Sequence, residues 1–134
     1  MSLIKSFQAE AFQNCKLEKL RESGELALFK LTPPNRFHWC YIVVTPAGLL
    51  IGGDQRFGDL PGGQAVSVPG VTLVSFLGNG DEEYIGQKFF GPKPRGRAGL
   101  DRWSNDVGWL AALRNEFKRL YTASFAVPAQ ESAP

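Results

Sequence analysis

The chain has 134 residues, 43% of them hydrophobic and 21% charged, with a formal net charge of +2. That suits one ordinary globular domain and excludes a surface that wraps a polyanion, while leaving room for one local basic patch. Two cysteines and one histidine exclude a disulfide framework, and a four-ligand zinc site unless carboxylates take part.

Ten Phe, three Trp and three Tyr supply the bulk of a core, and fifteen Gly with nine Pro favour turns and short strands. No secretory signal is visible at the N-terminus. The longest apolar run, Trp39 to Val44, is far short of the roughly 18 residues of a membrane span. A soluble cytoplasmic protein with no membrane partner is expected.

In chain order, Leu3, Phe7, Ala11 and Phe12 fall near helical spacing, and whether this segment is helix or strand stays open. Cys15 to Arg21 and Leu26 to Leu31 read as a hairpin around Ser23-Gly24. Phe37 to Thr45 is nearly all aromatic or β-branched, the pattern of a strand covered on both faces. Pro46-Ala47-Gly48 turns the chain, and Leu49 to Ile51 pairs back. Further strands are expected at Ala65 to Val68, at Val71 to Leu77, and at Glu83 to Phe90 after the hairpin signal Gly78-Asn79-Gly80-Asp81.

Ser104 is the expected N-cap of a helix with Asp106 in its first turn. Leu110, Leu113, Phe117, Leu120 and Tyr121 then recur on one amphipathic face. The sequence therefore predicts one α+β domain over residues 1–121: an antiparallel sheet of five or six strands with a C-terminal helix, about Ser104 to Tyr121, packed on one face. Residues 122–134 read as a flexible tail.

The stretch most suggestive of chemistry is Gly91 to Gly99, with cations at Lys93, Arg95 and Arg97 separated by Pro and Gly. Such a run is expected as an extended, solvated ribbon. Lys88, Phe89, Phe90, Arg102 and Trp103 flank it, giving the mix of cations and aromatics that single-strand binders use, although aromatics at strand and helix ends are more often core, and that reading is favoured. Lys93-Pro94-Arg95-Gly96-Arg97 resembles the core of the AT-hook, a family whose arginines lie along the minor groove of A·T-rich DNA. Ala98 stands where that pattern has a second Pro. The plainer reading, a surface loop whose charges maintain solubility, is favoured over the DNA reading. A P-loop outline from Gly91 to Gly96 fails, because Arg97 and Ala98 replace the Lys and Ser/Thr and Pro92 and Pro94 remove amide donors.

No catalytic residue, metal site or cofactor is predicted. His38 and Cys40 share one strand face two residues apart, but inside an expected core strand. Asp54, Asp59, Asp81, Glu82 and Glu83 fall in expected turns, where carboxylates are ordinarily solvated.

Phe37 to Asp54 resembles a run in small uncharacterised bacteriophage proteins. The matching residues are Trp39, Val44, Thr45, Pro46, Gly48, Leu50, Gly53 and Asp54. The resemblance covers about a third of the chain, counting the upstream hairpin, and ends at Gln55. It implies a small accessory protein of a phage or other mobile element. The expected function is non-enzymatic binding of a host protein or complex, for example as an anti-defence inhibitor in the host cytoplasm. The alternatives are a DNA binder using Lys88, Lys93, Arg95, Arg97, Arg102 and Trp103, or a structural virion protein.

Overall fold

The computed structural model describes residues 2–34, 40–53, 66–69, 72–78 and 81–126. The elements are α1 (Ser6–Ala11), β1 (Lys16–Ser23), β2 (Leu26–Thr32), β3 (Cys40–Thr45), β4 (Gly48–Gly53), β5 (Val66–Pro69), α2 (Leu73–Leu77), α3 (Glu82–Phe90) and α4 (Arg97–Tyr121), closed by a π-helical turn over Thr122–Ala126. The architecture is α+β, with one antiparallel sheet and a long C-terminal helix.

The strands form a meander in the order β1-β2-β3-β4-β5, each antiparallel to its neighbour. Gly24, at φ 58°, provides the left-handed residue that the tight β1–β2 connection needs. Thr45 fixes the next turn: its Oγ1 accepts from the amides of Ala47 and Gly48 and donates to the Gly48 carbonyl at 2.9 Å. A bulge displaces the register of β1 between Lys19 and Arg21. Among the described residues the sheet consists of four strands of six to eight residues, with the four-residue β5 added at one edge.

Two expected strands are helices. Val71 to Leu77 contributes α2, whose N-cap Thr72 accepts from the Ser75 amide. Glu83 to Phe90 lies in α3, whose N-cap Asp81 accepts from the Glu83 amide, with Glu82 and Glu83 in the first turn and Lys88 in the last. These caps and charges complement the helix ends. They outweigh the apolar content, which suited a strand as well as a helix. Helix α4 also starts earlier than expected, with Gly96 rather than Ser104 as N-cap, so Arg97, Ala98 and Gly99 form its first turn instead of a ribbon.

Alternation along the strands sends Phe29, Leu31, Cys40, Ile42, Val44, Leu49 and Ile51 into the core. Against them lie Phe12, Phe76, Ile85, Leu110, Leu113 and Phe117 from the helical side. At 25 residues, α4 is about 37 Å long, and it is buried without a break from Val107 to Arg114. It is thus the central post of the fold rather than a one-faced cover. Two glycines permit the closest approaches: Gly86 lets α3 sit on Val107, and Gly108 lets α1 sit on α4. Thr122–Ala126, read from sequence as the start of the tail, sets Phe125 5.8 Å from Phe29 and 5.5 Å from Tyr121 between ring centroids.

Candidate functional site

Two surfaces stand out, one charged and one apolar. The charged one is the corner where α3 passes into α4. Helical spacing puts Tyr84, Gln87 and Lys88 on one face of α3, and all three are exposed. Gly91, at φ 86°, ends the helix, and its carbonyl accepts from the Trp103 indole N–H at 3.0 Å. Trp103 is therefore a buried anchor, only 4% exposed, in line with the favoured core reading of the aromatics here and not with a stacking surface. Lys93 reaches back over α3 to pair with Glu83 at 2.9 Å. The connection so folded leaves an open cleft of about 290 Å³ lined by Tyr84, Gln87, Lys88 and Pro92.

Arg95, Arg97 and Arg102 are exposed, and no ion pair engages them among the described residues. The first hydrogen bond of α4 runs from the Leu100 amide to the Gly96 carbonyl, so the amides of Arg97, Ala98 and Gly99 face outward beside the arginines. Arg97 is helical, which removes the extended Arg-Gly-Arg geometry on which the AT-hook resemblance rests. Of the six residues singled out from sequence, the structure leaves Lys88, Arg95, Arg97 and Arg102 at the surface, commits Lys93 to Glu83, and buries Trp103.

The apolar surface is the sheet face turned away from the helices. Leu28, Val43 and Leu50 stand in register across β2, β3 and β4, each partly exposed. Leu26, on the same side of β2, is 50% exposed. Around them on this face are Lys16, Glu18 and Arg21 from β1, whose pairing partners are Thr32, Lys30 and Leu28. Lys30 lies over the Tyr41 ring at 5.7 Å.

The interior holds no reactive group among the described residues. Burial, with the nearby Glu116 carboxylate, pushes the Cys15 thiol from 9.0 up to about 12, against the opposing pull of Arg119. Burial likewise raises Cys40, which is completely buried. Both are thus neutral thiols, the reverse of an activated nucleophile. Asp81 caps α3, Glu82 accepts from the Leu3 amide and the Ser2 hydroxyl, and Glu83 holds Lys93. No group of three His, Cys, Asp or Glu is arranged to hold a metal among the described residues. His38, Trp39, Asp54 and Asp59 lie outside the described residues.

No helix among the described residues is long and apolar enough to cross a membrane. No protein-family model, no curated protein and no solved structure matches the chain.

Sequence reasoning missed Tyr84 and Gln87, because α3 was read as a strand. Asp81 followed by two acids was the one helix-start signal there. It also missed the outer sheet face, although the unbroken apolar runs Leu26 to Phe29 and Tyr41 to Val44 already implied apolar residues on both sides.

Proposed function

We propose that this chain is a non-enzymatic accessory protein, of a phage or other mobile element, that acts by holding a host protein against the outer face of its sheet. The observation that carries the reading is the Leu28–Val43–Leu50 row, with Leu26 beside it. An antiparallel sheet that meets solvent on one side ordinarily shows polar residues there. A contiguous apolar surface with a polar rim is the usual mark of an interaction site. Here β2, β3 and β4 carry apolar residues on both faces, while the described helices cover only one. The rim carries Lys16, Arg21 and Lys30 against Glu18, which favours a partner with an acidic border around an apolar centre. An inhibitor of a host defence complex is one role that such a surface suits.

The test is capture of host proteins by the tagged chain, followed by reconstitution with the purified partner. A Leu28→Thr/Val43→Thr/Leu50→Thr variant keeps β-propensity while removing the apolar row. Capture by the wild type and its loss in this variant, at an unchanged circular dichroism spectrum, supports the reading. Equal capture by both would dismiss the sheet face as the docking surface.

A further inference from the structure

The α3–α4 corner is a second, independent binding surface, and we infer that it takes single-stranded nucleic acid. The proposal rests on charge, on an aromatic platform and on a cleft that joins them. From Lys88 to Arg102, fifteen residues carry five cations, Lys88, Lys93, Arg95, Arg97 and Arg102, against the single acid Asp101, and Glu83 reaches in from α3 to pair with Lys93. That local balance, five minus one, is +4 against the +2 of the whole protein, with the acids Asp81, Glu82 and Glu83 at the start of α3 beyond it. Positive charge is therefore concentrated in the segment from Lys88 to Arg102.

Charge alone would recognise any anion. The cleft narrows the choice. Tyr84 is 51% exposed, and it lines the opening with Pro92 and with the side-chain amide of Gln87. An aromatic ring and a proline ring offer flat apolar surface for a base, and an amide can donate to and accept from a base edge. Lys88 holds its ammonium over the Tyr84 ring, 5.4 Å from its centroid; it swings off that face to admit a base and then meets the phosphate of the stacked nucleotide. Arg95 is three residues beyond Pro92, within about 10 Å of chain, so the next phosphates along a strand fall to Arg95 and Arg97. Lys93, tied to Glu83 at 2.9 Å, and the Trp103–Gly91 hydrogen bond at 3.0 Å hold the connection in place. A base within a duplex is stacked on its neighbours and cannot enter such a cleft. The geometry therefore selects a single strand rather than the minor groove of a duplex.

The experiment is fluorescence anisotropy with labelled oligothymidylate and oligouridylate of about 15 nucleotides and a duplex of equal length, in a salt series from about 50 mM. The proteins are the wild type, Arg95→Ala/Arg97→Ala, Tyr84→Ala and Tyr84→Phe, all altered at exposed positions. The expected result is a preference for single strands, the deoxy and ribo arms showing which sugar is favoured. Tyr84→Ala is expected to weaken binding roughly 5- to 100-fold, with Tyr84→Phe close to wild type. The arginine pair is expected to reduce the salt slope by about 1.4, roughly 0.7 for each phosphate that is no longer neutralised. An absence of single-strand binding at the lowest salt overturns the proposal. So does equal binding of duplex, or of a glutamate-rich peptide, together with indifference to Tyr84→Ala, since the corner would then be a general anion surface. The Leu28→Thr/Val43→Thr/Leu50→Thr protein is expected to bind the oligonucleotide normally, which separates this result from that of the sheet face.

Discussion

Gln8 lies fully buried against Gly108, and the contact is close enough that no larger residue fits. The Gln8 side chain accepts from the Lys5 amide at 2.9 Å and donates to the Asn105 carbonyl at 2.9 Å. It thereby joins the start of α1 to the middle of α4. A Cβ at position 108 would collide with Gln8 Oε1 and stand 2.6 Å from the Leu3 carbonyl oxygen.

Gly108→Ala is therefore expected to destabilise the protein, although alanine is ordinarily about 1 kcal/mol better than glycine inside a helix. Overpacking costs about 1–3 kcal/mol, and the obstacle here includes backbone, which cannot rotate away. Gly86→Ala meets the Val107 side chain instead, with Cγ1 at 2.9 Å, and is expected to act in the same direction. Urea denaturation of both variants measures this. A rise in the midpoint for Gly108→Ala would show that α1 is not seated on α4 as described.

Arg114 makes the second polar link through the core. Its Nε donates to the Phe76 carbonyl at 2.6 Å and its Nη2 to the Gly78 carbonyl, closing the C-terminal end of α2 onto α4. The residue is 5% exposed, and burial lowers its pKa, with Glu82 opposing. Arg114→Met removes both donors and is expected to cost about 2–3 kcal/mol, since hydrogen bonds to a charged group contribute about 1.5–3 kcal/mol each and relief of the cation's desolvation returns part. Arg114→Lys is expected to recover little, because an ammonium lacks the guanidinium fork. Equal stability of Arg114→Met and wild type in a thermal melt would contradict this role.

How far the sequence disclosed this structure depended on whether a segment's period was unique. The meander was legible because Leu26 to Leu31, Tyr41 to Val44 and Leu49 to Ile51 are rich in strand formers and bounded by Gly and Pro. Helix α3 was not legible as such: Ile85, Phe89 and Phe90 satisfy either period, and the decision lay in Asp81 and in the fit of Gly86 on Val107, which is tertiary. The start of α4 was hidden by Pro and Gly around Arg95, which suggested that no helix began before Ser104. For the candidate site, the cations were legible as residue types. Their division into a paired Lys93 and exposed arginines needed Glu83 to be brought ten residues back along the chain.

The thiols give a prediction for alkaline pH. The folded chain holds Cys15 at about 12 against an ordinary 9.0, first through burial and then through Glu116. Below about pH 9 the thiol is protonated in both states and the linkage has no effect. Between about 9 and about 12 the unfolded chain releases the proton that the folded chain keeps, so stability falls with rising pH across that window. The stability advantage of wild type over Cys15→Ala in urea is therefore expected to shrink above pH 9, while other groups titrate alike in both proteins. A constant difference across that range would mean that Cys15 ionises equally in both states.

Trp103 links the stability of α4 to the shape of the basic corner. Its indole N–H donates to Gly91, the residue at φ 86° where α3 ends and the connection begins. Trp103→Phe keeps an aromatic ring in the buried site but lacks that donor, leaving the Gly91 carbonyl to find another partner. The loss is expected to cost about 1 kcal/mol in stability for the hydrogen bond, with a further contribution from the smaller ring. Because Lys93 still pairs with Glu83, the connection stays folded over α3 but loses the restraint at its start. Oligonucleotide affinity is therefore expected to fall several-fold with an unchanged salt slope, since every phosphate keeps its cation. A fall in slope like that of Arg95→Ala/Arg97→Ala would instead place Trp103 among the groups that set the phosphate contacts. Unchanged affinity at reduced stability would confine it to the core.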